Sequence, residues 1–230
     1  MSALYVFALT NQAAPPLRHG HRLIEFIDVG GIHAAVERVA SRPAVSEAEL
    51  RVQHDIVMKI AASVDAILPA RFGALLDREE LESLVRMRLA SIRETLELVS
   101  GRVQMTVRVF SSAERPVSGL PPSPRLRRTA VASAEAGHGR PTGAEYLEQR
   151  RRETSPALSG QAAAISGAVR DLVHGERSGR GHGHVECTLY HLVDAGVVPQ
   201  YERAMEAFKS SAVTVTGPWP PFAFVPDLWS

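Results

Sequence analysis

Val213-Thr-Val-Thr-Gly-Pro-Trp-Pro-Pro-Phe222-Ala-Phe-Val225 imposes two constraints in thirteen residues. Its first four residues alternate a β-branched apolar side chain with threonine, the period of a half-buried strand. Gly217-Pro218 is expected to stop that strand, because proline cannot donate to a ladder. Three prolines then hold Trp219 and Phe222 in an extended, pre-ordered segment, so two large aromatics are presented with little further loss of chain freedom. Either Trp219, Phe222 and Phe224 cover the open face of a sheet, or they form an apolar tail that docks on a partner. Covering a sheet is the expectation adopted, and it requires strands upstream.

Working back from this stretch, residues 199–212 fit a helix that buries Tyr201, Met205 and Phe208. Residues 185–193, Val-Glu-Cys-Thr-Leu-Tyr-His-Leu-Val, alternate as a strand. Residues 175–183 read as a Gly, Arg and His loop, and 161–174 as a helix with Ile165, Val169, Leu172 and Val173 at helical spacing. A further helix is expected from Thr142, which forms a capping-box pattern with Glu145 and precedes Tyr146 and Leu147. From 111 to 141 the composition shifts to Ser, Pro, Gly, Ala and Arg with no hydrophobic periodicity, the mark of a flexible linker. Its most basic point, Arg125-Leu-Arg-Arg128, reads as a solvated loop rather than a contact for an acidic surface.

The first half supplies more elements. Residues 4–10 are rich in strand formers and 11–20 form the loop that leaves them. Residues 23–28 and 32–39 read as a hairpin turning at Gly30-Gly31. Ser46 with Glu49 opens a helix whose buried face is Leu50, Val57, Ile60, Ala61 and Val64. A short strand is expected within 70–76. Asp77 then caps a long helix to about Ser100, with Leu81, Leu84, Val85, Leu89, Ile92, Leu96 and Val99 on its stripe. After Gly101, residues 102–110 alternate strictly, with Val103, Met105, Val107 and Val109 facing one way. The order is β-β-β-α-β-α-β, then α-β-α-β. This is an α+β chain of two domains, 1–110 and 142–230, joined by the 111–141 linker.

A hydrophobic content of 45% with 22% charged residues is ordinary globular composition, and a net charge of +1 gives no field for a nucleic-acid backbone or an anionic membrane. Neither nucleic acid nor membrane is an expected partner. One cysteine, Cys187, excludes an internal disulfide framework and fits a reducing compartment. The apolar start of the chain lacks a basic n-region and a small-residue cleavage site, and no run is long enough to span a bilayer, so a soluble, cytoplasmic protein is expected.

The enzyme-like signals are weak. His174, His182, His184 and His191, with Glu186 and Cys187 nearby, suggest a metal site. However, two of these histidines sit among glycines, and His191 has the opposite strand parity to Glu186. Cys187 lies in an apolar strand, where an inert buried thiol is the usual state. No glycine cluster has phosphate-loop spacing. No catalytic residue, cofactor or metal is therefore assigned. Arg71, between Leu68-Pro69 and Phe72-Gly73, either ties down turn carbonyls or a carboxylate of its own chain, or meets a partner's carboxylate.

Four segments together resemble a known family, the gas vesicle GvpF/GvpL proteins. Leu68-Pro69-Ala70-Arg71-Phe72-Gly73 is similar to the family's Leu-Pro-x-Arg-Phe-Gly signature, with His54 upstream. Gly143-Ala-Glu-Tyr146-Leu147 is similar to its Gly-x-x-Tyr-Leu helix start, and Leu192-Val-Asp194 follows in order. Thr216-Gly217-Pro218-Trp219-Pro220-Pro221-Phe222 is the most specific match. The resemblance implies two α+β domains, each ferredoxin-like or close to it, in a non-enzymatic protein of gas vesicle assembly. It further implies binding of the hydrophobic major shell protein to prevent its aggregation, a place on the gas-facing side of the shell, and other gas vesicle assembly proteins as further partners. A helper for such a subunit must offer a sheet edge or an apolar groove. The hairpin of residues 23–39 offers an edge, so Leu23, Ile24, Phe26, Arg71 and Phe72 are the expected partner-binding residues. The competing expectation is a small α+β enzyme or metal-binding protein using the His and Cys residues of the C-terminal half.

Overall fold

The computed structural model describes residues 3–110, 160–181, 184–209 and 212–229. The helix expected from Thr142, with Tyr146 and Leu147, and the expected linker 111–141 lie outside the described residues.

The first sheet is built on β1 (Ala3–Thr10), which is buried along nearly its whole length. A strand so apolar on both sides must be covered on both faces. Helices α1 (Glu47–Ala61) and α2 (Arg78–Val99) provide that cover. Tyr5, Phe7 and Ala8 share a core with Ile56, Val57 and Ile60 of α1. Leu4, Val6 and Leu9 share another with Leu81, Val85, Ile92 and Leu96 of α2. A bulge between Val6 and Ala8 accounts for the switch in side-chain parity. The hairpin of β3 (Arg22–Val29) and β4 (Ile32–Val39) turns at Gly30 and Gly31, whose φ of 66° and 80° suit a two-residue turn with both centres left-handed. With β2 (Leu17–His19) and β5 (Ile67–Pro69), the all-antiparallel strand order is β2-β3-β4-β1-β5, and β6 (Leu75–Leu76) also pairs β1.

Local signals at the helix starts are realised. Ser46 accepts from Glu49 N, and Asp77 and Glu80 form a reciprocal capping box. Three details differ from expectation. The expected loop 11–20 contains a short strand, β2 (Leu17–His19), paired to the first residues of β3. The strand expected in 70–76 is confined to β6, after a turn, and a separate strand, β5 (Ile67–Pro69), precedes it. Leu50, in the first turn of α1, is 46% exposed, while Gln53 is buried in the stripe.

The second sheet has the order β10-β7-β9-β8, from β7 (Arg102–Phe110), β8 (Val173–Arg180), β9 (Val185–Asp194) and β10 (Val213–Trp219), again all antiparallel. With α3 (Gly160–Val169) before β8 and α4 (Val198–Glu206) before β10, this is the split βαβ pattern of a ferredoxin-like unit, order 4-1-3-2. Strand β7 pairs with β9 and β10, so it belongs with the second sheet and not with the first unit of 1–110 as expected. Its alternation gave the strand but held no information on which partners it would choose. Residues 173–180, expected as loop and helix end, form the edge strand β8, whose glycines and charges conceal its period. Met105, Val107, Val109, Cys187, Leu189 and Val193 face α3 and α4. Leu192, on the other face of β9, joins the core of the first sheet.

Gly217-Pro218 does not end β10. The register slips between Thr216 and Trp219, and Trp219 pairs again, with Gln104. An edge strand tolerates proline at a bulge because the missing donor is not needed there. The Gly217-Pro218 bond is cis, and Gly217 has φ 138°. A Cβ at Gly217 would lie 2.8 Å from Met105 Sδ and 2.9 Å from Gln104 O. Gly217→Ala is therefore expected to destabilise the fold by about 2–3 kcal/mol, read as a lowered urea midpoint with unchanged slope.

Candidate functional site

The two motifs at 68–73 and 216–222 meet in space. Leu68, Pro69 and Ala70 are buried, and the turn after them is held from behind by an internal polar chain. Tyr5 OH donates to Gln53 Oε1 and accepts from Gly73 N at 3.0 Å, while Gln53 Nε2 donates to Ala70 O at 3.1 Å. Burial pushes the Tyr5 hydroxyl above its usual range, which keeps it a neutral donor. Gly73 has φ 83°, so the turn requires a residue without Cβ. Phe72 is half-buried against Tyr5, with ring centroids 6.3 Å apart. Arg71 faces outward, 65% exposed, with Nη2 3.1 Å from Asp227 Oδ1.

The tail lies across this turn. His54 of α1 packs edge-on to Trp219 at 5.6 Å and stacks on Phe222 at 6.4 Å. Trp219 is half-buried, Pro220 and Pro221 are buried, and Phe222 remains 41% exposed. Phe224 and Leu228 enter the core of the first sheet beside Leu68, Ala70 and Leu81. The second sheet fixes the backbone between them: Ala223 N donates to Gln104 Oε1 at 2.7 Å, and Arg177 Nη1 donates to Ala223 O at 2.8 Å. Arg177 also lies over the Phe224 ring, 5.5 Å from its centroid. Phe224 thus performs the covering role expected of the aromatics, and it covers the core of the first sheet from a chain tied to the second.

The other expected contact residues are scattered along β3. Ile24 is fully buried in the α1 core, so it is not available to a partner. Leu23 is 37% exposed and Phe26 half-buried. Among the described residues, β2 pairs only with residues 22–24, and no strand lies along the outer side of residues 25–29.

Among the described residues, no group of three or more His, Cys, Asp or Glu side chains is placed to hold a metal ion. His174 pairs with Asp194, and that hydrogen bond holds the Asp194 carboxyl below its usual range. Cys187 is buried, its thiol pushed up first by burial and then by Glu186. His182 lies outside the described residues. His191 meets two polar groups inside the protein: Nδ1 is 2.6 Å from Tyr201 OH and Nε2 3.1 Å from Glu176 Oε2, with no exposed surface on the imidazole. The hydrophobic spacing of Tyr201 and the loop-like composition around Glu176 hid both partners in the sequence.

These features define a two-sheet α+β protein in which a Pro- and aromatic-rich tail binds a ferredoxin-like unit to a second antiparallel sheet. The model of the gas vesicle synthesis protein GvpL/GvpF family matches residues 3–226, and the chain belongs to that family. Membership carries with it a role in gas vesicle assembly. The fold is similar to the crystal structure of GvpF from Anabaena sp. PCC7120, with TM-score 0.69, 15% identity, and 98% of this chain and 99% of that chain covered. It is also similar to GvpF from Microcystis aeruginosa, with TM-score 0.66, 12% identity, and 97% and 99% covered. No curated protein sequence matches.

Burial holds His191 below its usual titration range against the pull of Glu176. The unfolded chain therefore binds this proton at higher pH than the folded one. Stability is expected to fall as pH drops below the unfolded value of about 6.5, and to level off once the folded imidazole also protonates. His191→Asn should remove this share of the slope between pH 7 and 5 in urea titrations.

Proposed function

We propose that this chain binds the hydrophobic major shell protein of the gas vesicle, keeps it from aggregating before insertion and assists shell formation, acting in the cytoplasm and on the gas-facing side of the shell. Family membership supports the setting, and the open edge of β3 supports the mode. An unassembled apolar subunit exposes surface that drives aggregation, and a free strand edge flanked by apolar side chains covers such surface by strand addition. Residues 25–29 offer the edge, with Leu23, Phe26 and Ile27 beside it. A shallow groove of ≈ 170 Å³ between Asp28, Val29 and Gly30 and the α2 residues Val85, Arg86 and Leu89 continues from it. Ile24 serves this surface as its buried support. Other gas vesicle assembly proteins are further partners in this reading.

The enzyme or metal-binding alternative has less behind it. The His191 imidazole has no exposed surface, and the Cys187 thiol is held protonated within the core. No helix among the described residues is long and apolar enough to cross a membrane.

The test is light scattering of freshly diluted major shell protein, with and without an equal molar amount of the full chain. Suppressed aggregation is expected. Leu23→Lys, at an exposed position beside the open edge, is expected to weaken suppression several-fold with an unchanged circular dichroism spectrum. No suppression by the folded wild-type protein would refute the reading, and full suppression by Leu23→Lys would move the contact away from β3.

A further inference from the structure

The second sheet also ends on an open edge. In the order β10-β7-β9-β8, β8 pairs with β9 alone, and among the described residues no strand lies along its outer side. Glu176, Arg177, Ser178 and Arg180 are exposed along that edge. Charges on an edge strand repel most incoming strands, because few carry the matching charges in the matching order. An antiparallel copy of β8 does carry them. Residues directly opposite one another share a face of the sheet, so a two-fold axis between two such edges must place one residue opposite its own copy. With Ser178 at the axis, Glu176 falls opposite Arg180 and, by symmetry, Arg180 opposite Glu176. On the other face Arg177 falls opposite Gly179, which has no side chain to crowd it. Arg177 thereby keeps its place over Phe224 and its bond to Ala223 O. An axis at Arg177 would set two guanidiniums face to face, one at Glu176 two carboxylates, and one at Gly179 would set Arg180 against Ser178. Of these four, only the Ser178 axis sets a carboxylate opposite a guanidinium.

We propose that β8 pairs antiparallel with β8 of a second copy of this chain, about a two-fold axis at Ser178, joining two four-stranded sheets into one. Main-chain hydrogen bonds of the two edges supply the attraction, and the charge order fixes the register. Glu176 gives Oε2 to His191 and its side chain is 31% exposed, so its other oxygen can accept from the arriving Arg180. There is space for that guanidinium: a cleft of ≈ 500 Å³ lies between β8 and α3, walled on the helix side by the small residues Ala163 and Gly167, with Glu176 the one carboxylate lining it. A strand of unrelated sequence would lack the reversed charge order, which is why a second copy is the fitting occupant. This edge is separate from that of β3, and its failure would leave the shell-protein reading intact.

The experiment is sedimentation of the full chain across a concentration series at low salt. A reversible monomer–dimer equilibrium is expected, and added salt should shift it toward monomer. Arg180→Glu sets like charges opposite at both symmetric positions and should weaken the dimer about tenfold or more. Arg180 is exposed, and circular dichroism confirms that the variant is folded. The register is read separately with a short bifunctional maleimide. Ser178→Cys should cross-link to its own copy, whereas Thr214→Cys, exposed on the opposite edge strand β10, should not, and the buried Cys187 should leave the wild-type chain unlinked. A monomer at every concentration would overturn the proposal. So would a dimer that Arg180→Glu leaves unchanged, or cross-linking of Thr214→Cys as efficient as that of Ser178→Cys.

Discussion

Ala223 holds the molecule together in a way its small side chain conceals. Its N–H and C=O are both engaged by side chains of the second sheet, Gln104 on β7 and Arg177 on β8, while the residues on either side of it face the first half. Phe224 and Leu228 are buried in the core that Leu4, Val6 and Leu68 share with α2, and Phe222 stacks on His54 of α1. A backbone anchored in one unit with its side chains packed in another makes the units mutually dependent, since displacing the tail would leave polar groups unpaired in one and a void in the other. The contact of Leu192 with the same core adds to that dependence. The bulge at Gly217 and the prolines after it direct the chain off the edge of β10 toward the first half.

The 68–73 turn is the receiving half of this junction. Its backbone is fixed by Tyr5 and Gln53, buried side chains whose hydrogen-bonding capacity is spent on Ala70 O and Gly73 N. Such a chain is favourable only when each member is satisfied, so it specifies one turn geometry. Arg71 is thereby held outward on a rigid support while Phe72 is held inward. The arrangement separates a structural face, made of apolar residues and neutral hydrogen bonds, from an outer face carrying a cation and exposed aromatic surface. The open edge of β3 is a second outer feature, and it arises because β2 is too short to cover the strand it pairs with.

Helix starts, the glycine hairpin and the strictly alternating strands were readable from residues 30–31, 46–49, 77–80 and 102–110, because each depends on neighbours within a few positions. The failures share a different cause. β8 has glycine at 175 and 179 and charges between them, so its pairing to β9 comes from the sheet and not from its own pattern. Leu23, Ile24 and Phe26 were grouped by adjacency in sequence, yet alternation along β3 buries Ile24 and leaves Leu23 outside. Asp227 carried no local signal, since its meaning depends on a turn more than 150 residues away.

By itself the sequence determined most of the elements, β2 and β8 excepted, the α+β class and, through the motifs at 68–73 and 216–222, the family, since local backbone preference and short-range side-chain patterns suffice for these. Tertiary structure alone decided that β7 joins the second sheet, that the tail spans both units, that His191 is enclosed by Glu176 and Tyr201, and that Arg71 meets Asp227. Each of these is a choice among distant partners of similar local quality. What settles such a choice is which assembly of the whole chain buries the apolar faces and leaves the fewest polar groups unpaired.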